Sequence, residues 1–542
     1  MAFNAKRVRD GVLWSAGRAI FVRTAGMLTM MAAVRMVSPE DFGVWAVALT
    51  VHAVTVNSAE LGVGSLLIRR DTDAEALAPS ASFIALAFSA ILGTTLVLFA
   101  PMLASGLGAP AAAPVIRIMA VSVVLAGLVA VPSALLAREF RQRAVFVAQL
   151  LSTVVSGTVL IIMATRGAGA AAFAWSLVCG QLVGAVVTMH LAGRWYRPRL
   201  DTAAAGLLLR VGAPLAGANV LNYAFLNLDY VIVGRDRGAA ALGVYLLAFS
   251  VSSWPYSILG ASINSVSMPA FSDVAGPALQ ARMESTVQTV AMVAFPAAAM
   301  IAALAGPLIG TVYGPRWSAA APTLSVLAPY GGLFLMTLVM GSALVGVGRS
   351  GTLLMLQALW LATLLPVMIV LVRSEGPTGA AIAHLLVVVI VALPAYLLAV
   401  RKGSGVEPGG VLRAMVGPAV IAALAGLCAW LAAIQLREPV LGLLVGGSVG
   451  TLIYGVLASP LLLARLGGAS GSINRRLGPP AGAVLALAGR CGVGGVLFNS
   501  RWQRVQSESP CEVRCRGDQP ELVEPRRGNH QVPRPRDGEI DL

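Results

Sequence analysis

From residue 11 to residue 463 one pattern repeats: an apolar run of 20 or more residues, then a few residues of turn chemistry. A run of about 20 residues at ~1.5 Å each covers the ~30 Å hydrocarbon core of a bilayer. The runs fall near 11–34, 42–66, 80–104, 114–137, 145–165, 168–193, 206–228, 239–265, 286–310, 322–346, 352–372, 377–400, 411–434 and 440–463. Separators such as Ser38-Pro39-Glu40-Asp41, Gly108-Ala109-Pro110, Gly314-Pro315-Arg316 and Glu375-Gly376-Pro377 punctuate them. The expected fold is therefore all-α and membrane-integral, with 14 transmembrane helices. Pro132, Pro214, Pro296, Pro366 and Pro394 lie inside runs, which membrane helices tolerate because neighbours satisfy the freed backbone groups.

Composition agrees. The chain is 57% hydrophobic and 12% charged, too little charge to clothe a soluble domain of this size. The net charge of +15 sits in short loops and in the last stretch, not on one soluble face, so nucleic acid is not an expected partner. Counting Lys and Arg loop by loop gives orientation. The amino terminus and every second loop hold seventeen, including Lys6, Arg7, Arg9, Arg138, Arg141, Arg143, Arg401 and Lys402; the alternate loops hold seven, including Arg35, Arg235 and Arg373. Both termini are expected in the cytoplasm, which agrees with an even number of helices.

The first run is unusual because it carries Arg18 and Arg23 within its length. Each costs roughly 2.5–3.5 kcal/mol at the centre of an inserted helix, so it needs a watery cavity or a partner. Ser15, Arg18, Arg23, Gly26 and Thr29 share a sector of roughly 140°. This face is expected to line a cationic chamber for an anionic cargo; Arg18 could instead snorkel to headgroups.

An echo runs through the chain. Phe42-Gly43-Val44-Trp45 follows Arg35, and Leu242-Gly243-Val244-Tyr245 follows Arg235, 200 positions later. Six runs separate the copies, so the halves point the same way across the membrane. The expected plan is two parallel six-helix lobes, 1–200 and 201–402, around a central cavity. Two further helices occupy 403–466, and a basic, disordered cytoplasmic tail occupies 467–542. The apolar stretch 481–498 is read as no span.

Four stretches carry a family resemblance: Ser38-Pro39-Glu40-Asp41-Phe42-Gly43-Val44-Trp45; Glu60-Leu61-Gly62-Val63-Gly64-Ser65-Leu66-Leu67-Ile68-Arg69; Asn227 to Arg235 with Gly243-Val244-Tyr245; and Met268-Pro269-Ala270-Phe271-Ser272. In order and spacing they resemble the Wzx-type oligosaccharide flippases, the polysaccharide-transport branch of the MOP exporter superfamily. The subgroup is that of the colanic-acid and succinoglycan exporters. The resemblance implies a multi-pass protein of the bacterial inner membrane that takes undecaprenyl-pyrophosphate-linked repeat units from the cytoplasmic leaflet and turns them outward. It implies lipid-linked oligosaccharide, membrane lipids and polysaccharide polymerase machinery as partners, and a monomer.

Candidate residues follow. Arg18 and Arg23 suit pyrophosphate because guanidinium forks bind it bidentately. Asn222 and Asn227 could hydrogen-bond sugar hydroxyls or only tie helices together. Glu60 and Asp229 are acids at the ends of apolar runs, readable as ion coupling, a gate, or local pairs with Arg69 and Arg235. His52 and His384 are lone histidines within helices, either paired with a neighbour or relaying protons. The run Arg138-Glu139-Phe140-Arg141-Gln142-Arg143 reads as a cytoplasmic loop meeting anionic lipid.

Enzyme chemistry is not expected. Gly346-Val347-Gly348-Arg349-Ser350-Gly351 fits G-x-G-x-x-G without a preceding strand, and no Walker motif is present. Cys511 and Cys515 stand without a second pair, so no metal site or cofactor is expected. A membrane-embedded glycan polymerase would show one large external loop, and here each is short. A cation-coupled drug or metabolite antiporter is the remaining alternative; it would call for an acidic chamber.

Overall fold

A computed structural model describes residues 5–59, 62–68, 73–193, 196–257, 259–260, 263, 271 and 276–473. The described residues contain helices and turns but no strand. The chain forms two units, Met1–Ser459 and Pro460–Leu542. The second contributes only the end of the last helix to the description; the tail from 474, the stretch 481–498, Cys511 and Cys515 lie outside it.

The first half comprises α1 (Ala5–Met36), α2 (Pro39–Ala59), α3 (Val63–Ile68), α4 (Ala74–Gly106), α5 (Ala113–Arg138), α6 (Gln142–Thr165) and α7 (Ala170–Ala192). Then come α8 (Thr202–Leu226), α9 (Leu228–Ser252), α10 (Gly276–Ala303), α11 (Ala305–Val312), α12 (Ala320–Gly346), α13 (Ser350–Glu375), α14 (Pro377–Val387) and α15 (Leu393–Ser404). The last helices are α16 (Pro408–Ile434) and α17 (Pro439–Ile473).

Among the described residues, eleven helical stretches are long and apolar enough to cross a membrane. The expected run at 11–34 lies in α1, which also carries Lys6, Arg7, Arg9, Asp10, Arg18 and Arg23. Between the expected runs 206–228 and 239–265, α9 turns at Gly238, whose φ of 80° only glycine adopts readily. The second of these runs extends beyond the described residues. The run at 377–400 is one stretch interrupted by a π-helical turn, Val388–Ala392. Pro394 follows at the start of α15; it has no N–H to give to the preceding turn, and the wide turn absorbs the mismatch.

Buried apolar side chains are distributed unevenly along the helix axes. At the Arg35 end, one cluster joins both halves: Val34, Phe42, Val44, Ile116, Phe173, Leu242, Tyr245, Ile309, Trp317, Leu324 and Val372. At the opposite end the core divides. One part draws on Leu67, Ala78, Leu135 and Leu208, the other on Met283, Phe295, Met340, Tyr396 and Met415. The core is thus continuous at one end and split in two at the other, where one part joins α3, α4 and α5 to α8 and the other is built from later helices alone.

Candidate functional site

The shared end is closed by main chain. α2 crosses α9 where the two copies of the echo meet. A Cβ added to Gly43 would overlap the carbonyl of Ala239 and come within 3.0 Å of the Gly243 nitrogen; one added to Gly243 would overlap the carbonyl of Pro39 and come within 2.9 Å of the Gly43 nitrogen. Gly108, at φ +79°, meets the carbonyl of Gly234 in the same way. Only glycine lets two backbones approach so closely, as in small-residue helix crossings in membranes.

Aromatic and arginine side chains complete the closure. Phe42 packs edge-on against Trp317 at 5.4 Å and Phe173 at 5.6 Å. The Trp317 indole donates to the Val34 carbonyl at 3.0 Å. Arg35 donates to Thr311 O at 3.3 Å, and Arg237 donates to the carbonyls of Val372, at 2.8 Å, and Arg373. Arg373 in turn pairs with Asp236 at 3.2 Å. Nearly every link runs from a helix end in one sequence segment to a distant one.

Deeper in the molecule Arg23 makes another such link. Its guanidinium donates to the Ser257 carbonyl at 2.6 Å, joining α1 to the short helical stretch 254–257 that follows α9. Twelve residues separate Arg23 from Arg35, which is about 18 Å along a helix axis. Arg23 therefore sits near mid-membrane depth if Arg35 marks an interface. It is exposed in the protein alone, and Arg18, five residues further from the closed end, is half-buried. Neither arginine lines the cavity of about 450 Å³ that opens between α1 and α6, whose walls include Phe21, Ala25, Thr29, Thr153, Gly157 and Ile161.

The candidate acids and histidines divide clearly. Asp229 and His384, 155 positions apart, are brought together: Nε2 lies 3.8 Å from Oδ2, and both residues are 7% exposed. The Tyr245 hydroxyl donates to the same Oδ2 at 2.9 Å, and the Tyr230 amide to Oδ1 at 3.0 Å. Neither ring nitrogen of His384 has a hydrogen-bond partner. Tyr330 and Phe249 wall its ring at centroid distances of 4.8 and 6.2 Å. His52 lies elsewhere, on α2, bonded to Ser122 at 2.6 Å, and Ser122 bonds on to Met119 O.

Asn227 sits at the break between α8 and α9 and donates to the carbonyl of Tyr223, on its own helix, at 2.7 Å. Glu60 and the side chain of Asn222 lie outside the described residues, as do most of Met268 to Ser272. Tyr245 and Tyr330 were not singled out from the sequence. Tyr245 had a signal, because it ends one copy of the echo; Tyr330 had none.

A family model described as polysaccharide biosynthesis protein matches residues 32–322. The chain belongs to that family. Its relatives include the succinoglycan biosynthesis transport protein ExoT of Rhizobium meliloti (strain 1021), 28% identical over 469 residues, 84% of this chain and 93% of ExoT. The lipopolysaccharide biosynthesis protein WzxC of Escherichia coli (strain K12) is 22% identical over 413 residues, 75% of this chain and 83% of WzxC. Among solved structures, the fold resembles the lipid II flippase MurJ in an inward closed conformation, with a TM-score of 0.68, 14% identity, 84% of this chain and all of MurJ covered. It also resembles an inward-facing multidrug resistance MATE transporter of the MOP superfamily, with a TM-score of 0.57, 17% identity, and 71% and 99% covered. The expected kinship with polysaccharide-transport proteins holds: the family matches and its relatives include ExoT and WzxC. It is a multi-pass membrane protein, and the relatives and neighbours it matches are transport proteins.

Proposed function

We propose that the protein flips undecaprenyl-pyrophosphate-linked oligosaccharide repeat units across the bacterial inner membrane by alternating access, for surface polysaccharide synthesis. Two six-helix lobes, 1–200 and 201–402, rock about a chamber, 14 helices cross the bilayer, and both termini face the cytoplasm. The observation that carries this reading is Arg23. It reaches from mid-length of α1 across to Ser257, between an end where one core joins both halves and an end where the core splits into two clusters. A guanidinium in that position is expensive in lipid and useful to a pyrophosphate. In a low-dielectric chamber its attraction for phosphate is several-fold stronger than in bulk water. Transport relatives in polysaccharide synthesis support the cargo class.

In a strain depleted of the native protein, Arg23→Ala should lower export about ten- to a hundred-fold, as expected for losing a charge-assisted contact. Undecaprenyl-linked repeat units should build up on the cytoplasmic side, with Arg23→Lys intermediate. Wild-type export by Arg23→Ala would remove the reading. Unchanged lipid intermediates with altered drug tolerance on depletion would point to an antiporter.

A further inference from the structure

We infer that Asp229 and His384, with Tyr245 as the fixed donor between the two arms of α9, form one proton-binding site whose occupancy holds the Arg35 end closed. The inference rests on the alternating-access reading and names the ion that drives it.

Buried polar atoms in folded proteins are nearly always paired. His384 is 7% exposed, and both of its nitrogens lack a partner, yet a carboxylate oxygen stands 3.8 Å away. Asp229 already accepts from two fixed donors, Tyr245 and the Tyr230 amide. What the pair can still take up is a proton, for which the free imidazole nitrogens and the carboxylate are both acceptors. A hard metal cation asks for six or so oxygens. Here the acceptors are one carboxylate and one phenol beside a nitrogen base, and no cluster of three or more His, Cys, Asp or Glu exists among the described residues.

Charge accounting connects occupancy to shape. With one proton shared, imidazolium and carboxylate form a pair of net zero charge. Without it, an uncompensated carboxylate stays buried, which the interior penalises unless water enters or the elements part. The elements concerned are those that make the closure. Asp229 lies on the α9 arm that ends at Gly234, Asp236 and Arg237; Tyr245 lies two residues past Gly243 on the other arm. His384 lies on α14, which follows the Val372–Arg373 acceptors of Arg237, and a π turn begins four residues after it. Such turns recur at functional sites and let a helix change register.

Among the described residues, no other charged side chain is paired with Asp229 or His384. Tyr230, Tyr245 and Tyr330 face the pair, and Tyr256 lies within electrostatic reach of Asp229. On the packed helices, Arg373 and Glu375 of α13 are at the closed end, with Arg373 held by Asp236. His52 of α2 is tied to Ser122, and Arg210 of α8 is exposed.

The test needs no cargo. Spin labels at Glu40→Cys and Arg316→Cys, in full-length protein with its native cysteines replaced and reconstituted in lipid nanodiscs, report separation across the closed end. The closed population should fall at least about threefold between about pH 5 and about pH 8, and exchanging K⁺ for Na⁺ at fixed pH should change nothing. Asp229→Asn, which carries no charge to strand, should stay closed across this range, while His384→Asn should open already at the lower pH. Distances in the unsubstituted Asp229/His384 protein that ignore pH, or that follow Na⁺, would overturn the inference whatever the variants do. A pH response without any flipping of lipid-linked sugars would leave the proton site standing and remove the cargo reading instead.

Discussion

The two copies of the echo begin alike and end differently. Gly43 and Gly243 do the same job, each receiving the other's helix. Their aromatic neighbours do not. Trp45 stacks on Phe173 at 4.7 Å and 26°, in an aromatic cluster with Phe42. Tyr245 is fully buried and points its hydroxyl at Asp229. The position 200 residues before Asp229 is Thr29, whose hydroxyl returns to Ala25 O of its own helix at 2.8 Å. The first copy is thus apolar structure and the second is a polar site built on the same frame. The two copies share a backbone crossing, and a polar contact is added to one of them.

The largest expected effect tests the shared part. Gly43→Ala and Gly243→Ala should each destabilise the closed form by about 3 kcal/mol, since the added carbon meets main chain that cannot turn away. Gly26→Ala, with open space around it, should be neutral or stabilising by up to about 1 kcal/mol. Thermal unfolding in detergent separates the three, and equal melting temperatures would dissolve the idea of a backbone seam. A smaller effect sharpens the difference between the copies. Asp229→Ala strands the Tyr245 hydroxyl and should cost about 2 kcal/mol, whereas Thr29→Val should cost less than about 0.5 kcal/mol. The smallest contrast is between the aromatics. Tyr245→Phe should cost about 1 kcal/mol and blunt the pH response of the closed end. Trp45→Phe should cost about 0.5–1 kcal/mol of stacking and leave that response intact.

The sequence spoke clearly wherever the signal was local. Apolar runs of bilayer length mark α2, α4–α7, α10, α12, α13, α16 and α17, and Arg23 announces itself because lipid would not tolerate it unaided. It was silent on what depends on approach. Gly-Val-aromatic repeated 200 residues apart does not say that its two copies touch. That follows only when both halves share an axis and each lacks a side chain at the crossing. Nor can Asp229 indicate His384, since nothing between them fixes which faces of α9 and α14 turn together. The bend at Gly238 and the wide turn before Pro394 were not legible for the same reason: a glycine or proline states that a deviation is tolerated, not where the chain goes next.

The crossing of α2 and α9 has a consequence for how such a protein can be retuned. A latch made from bare peptide offers no side chain to vary, so its grip cannot be adjusted at the points of contact themselves. Variation toward bulkier or more acidic passengers must act through the ring around it, at Trp45, Tyr245, Trp317 and the arginines, while the latch stays as it is.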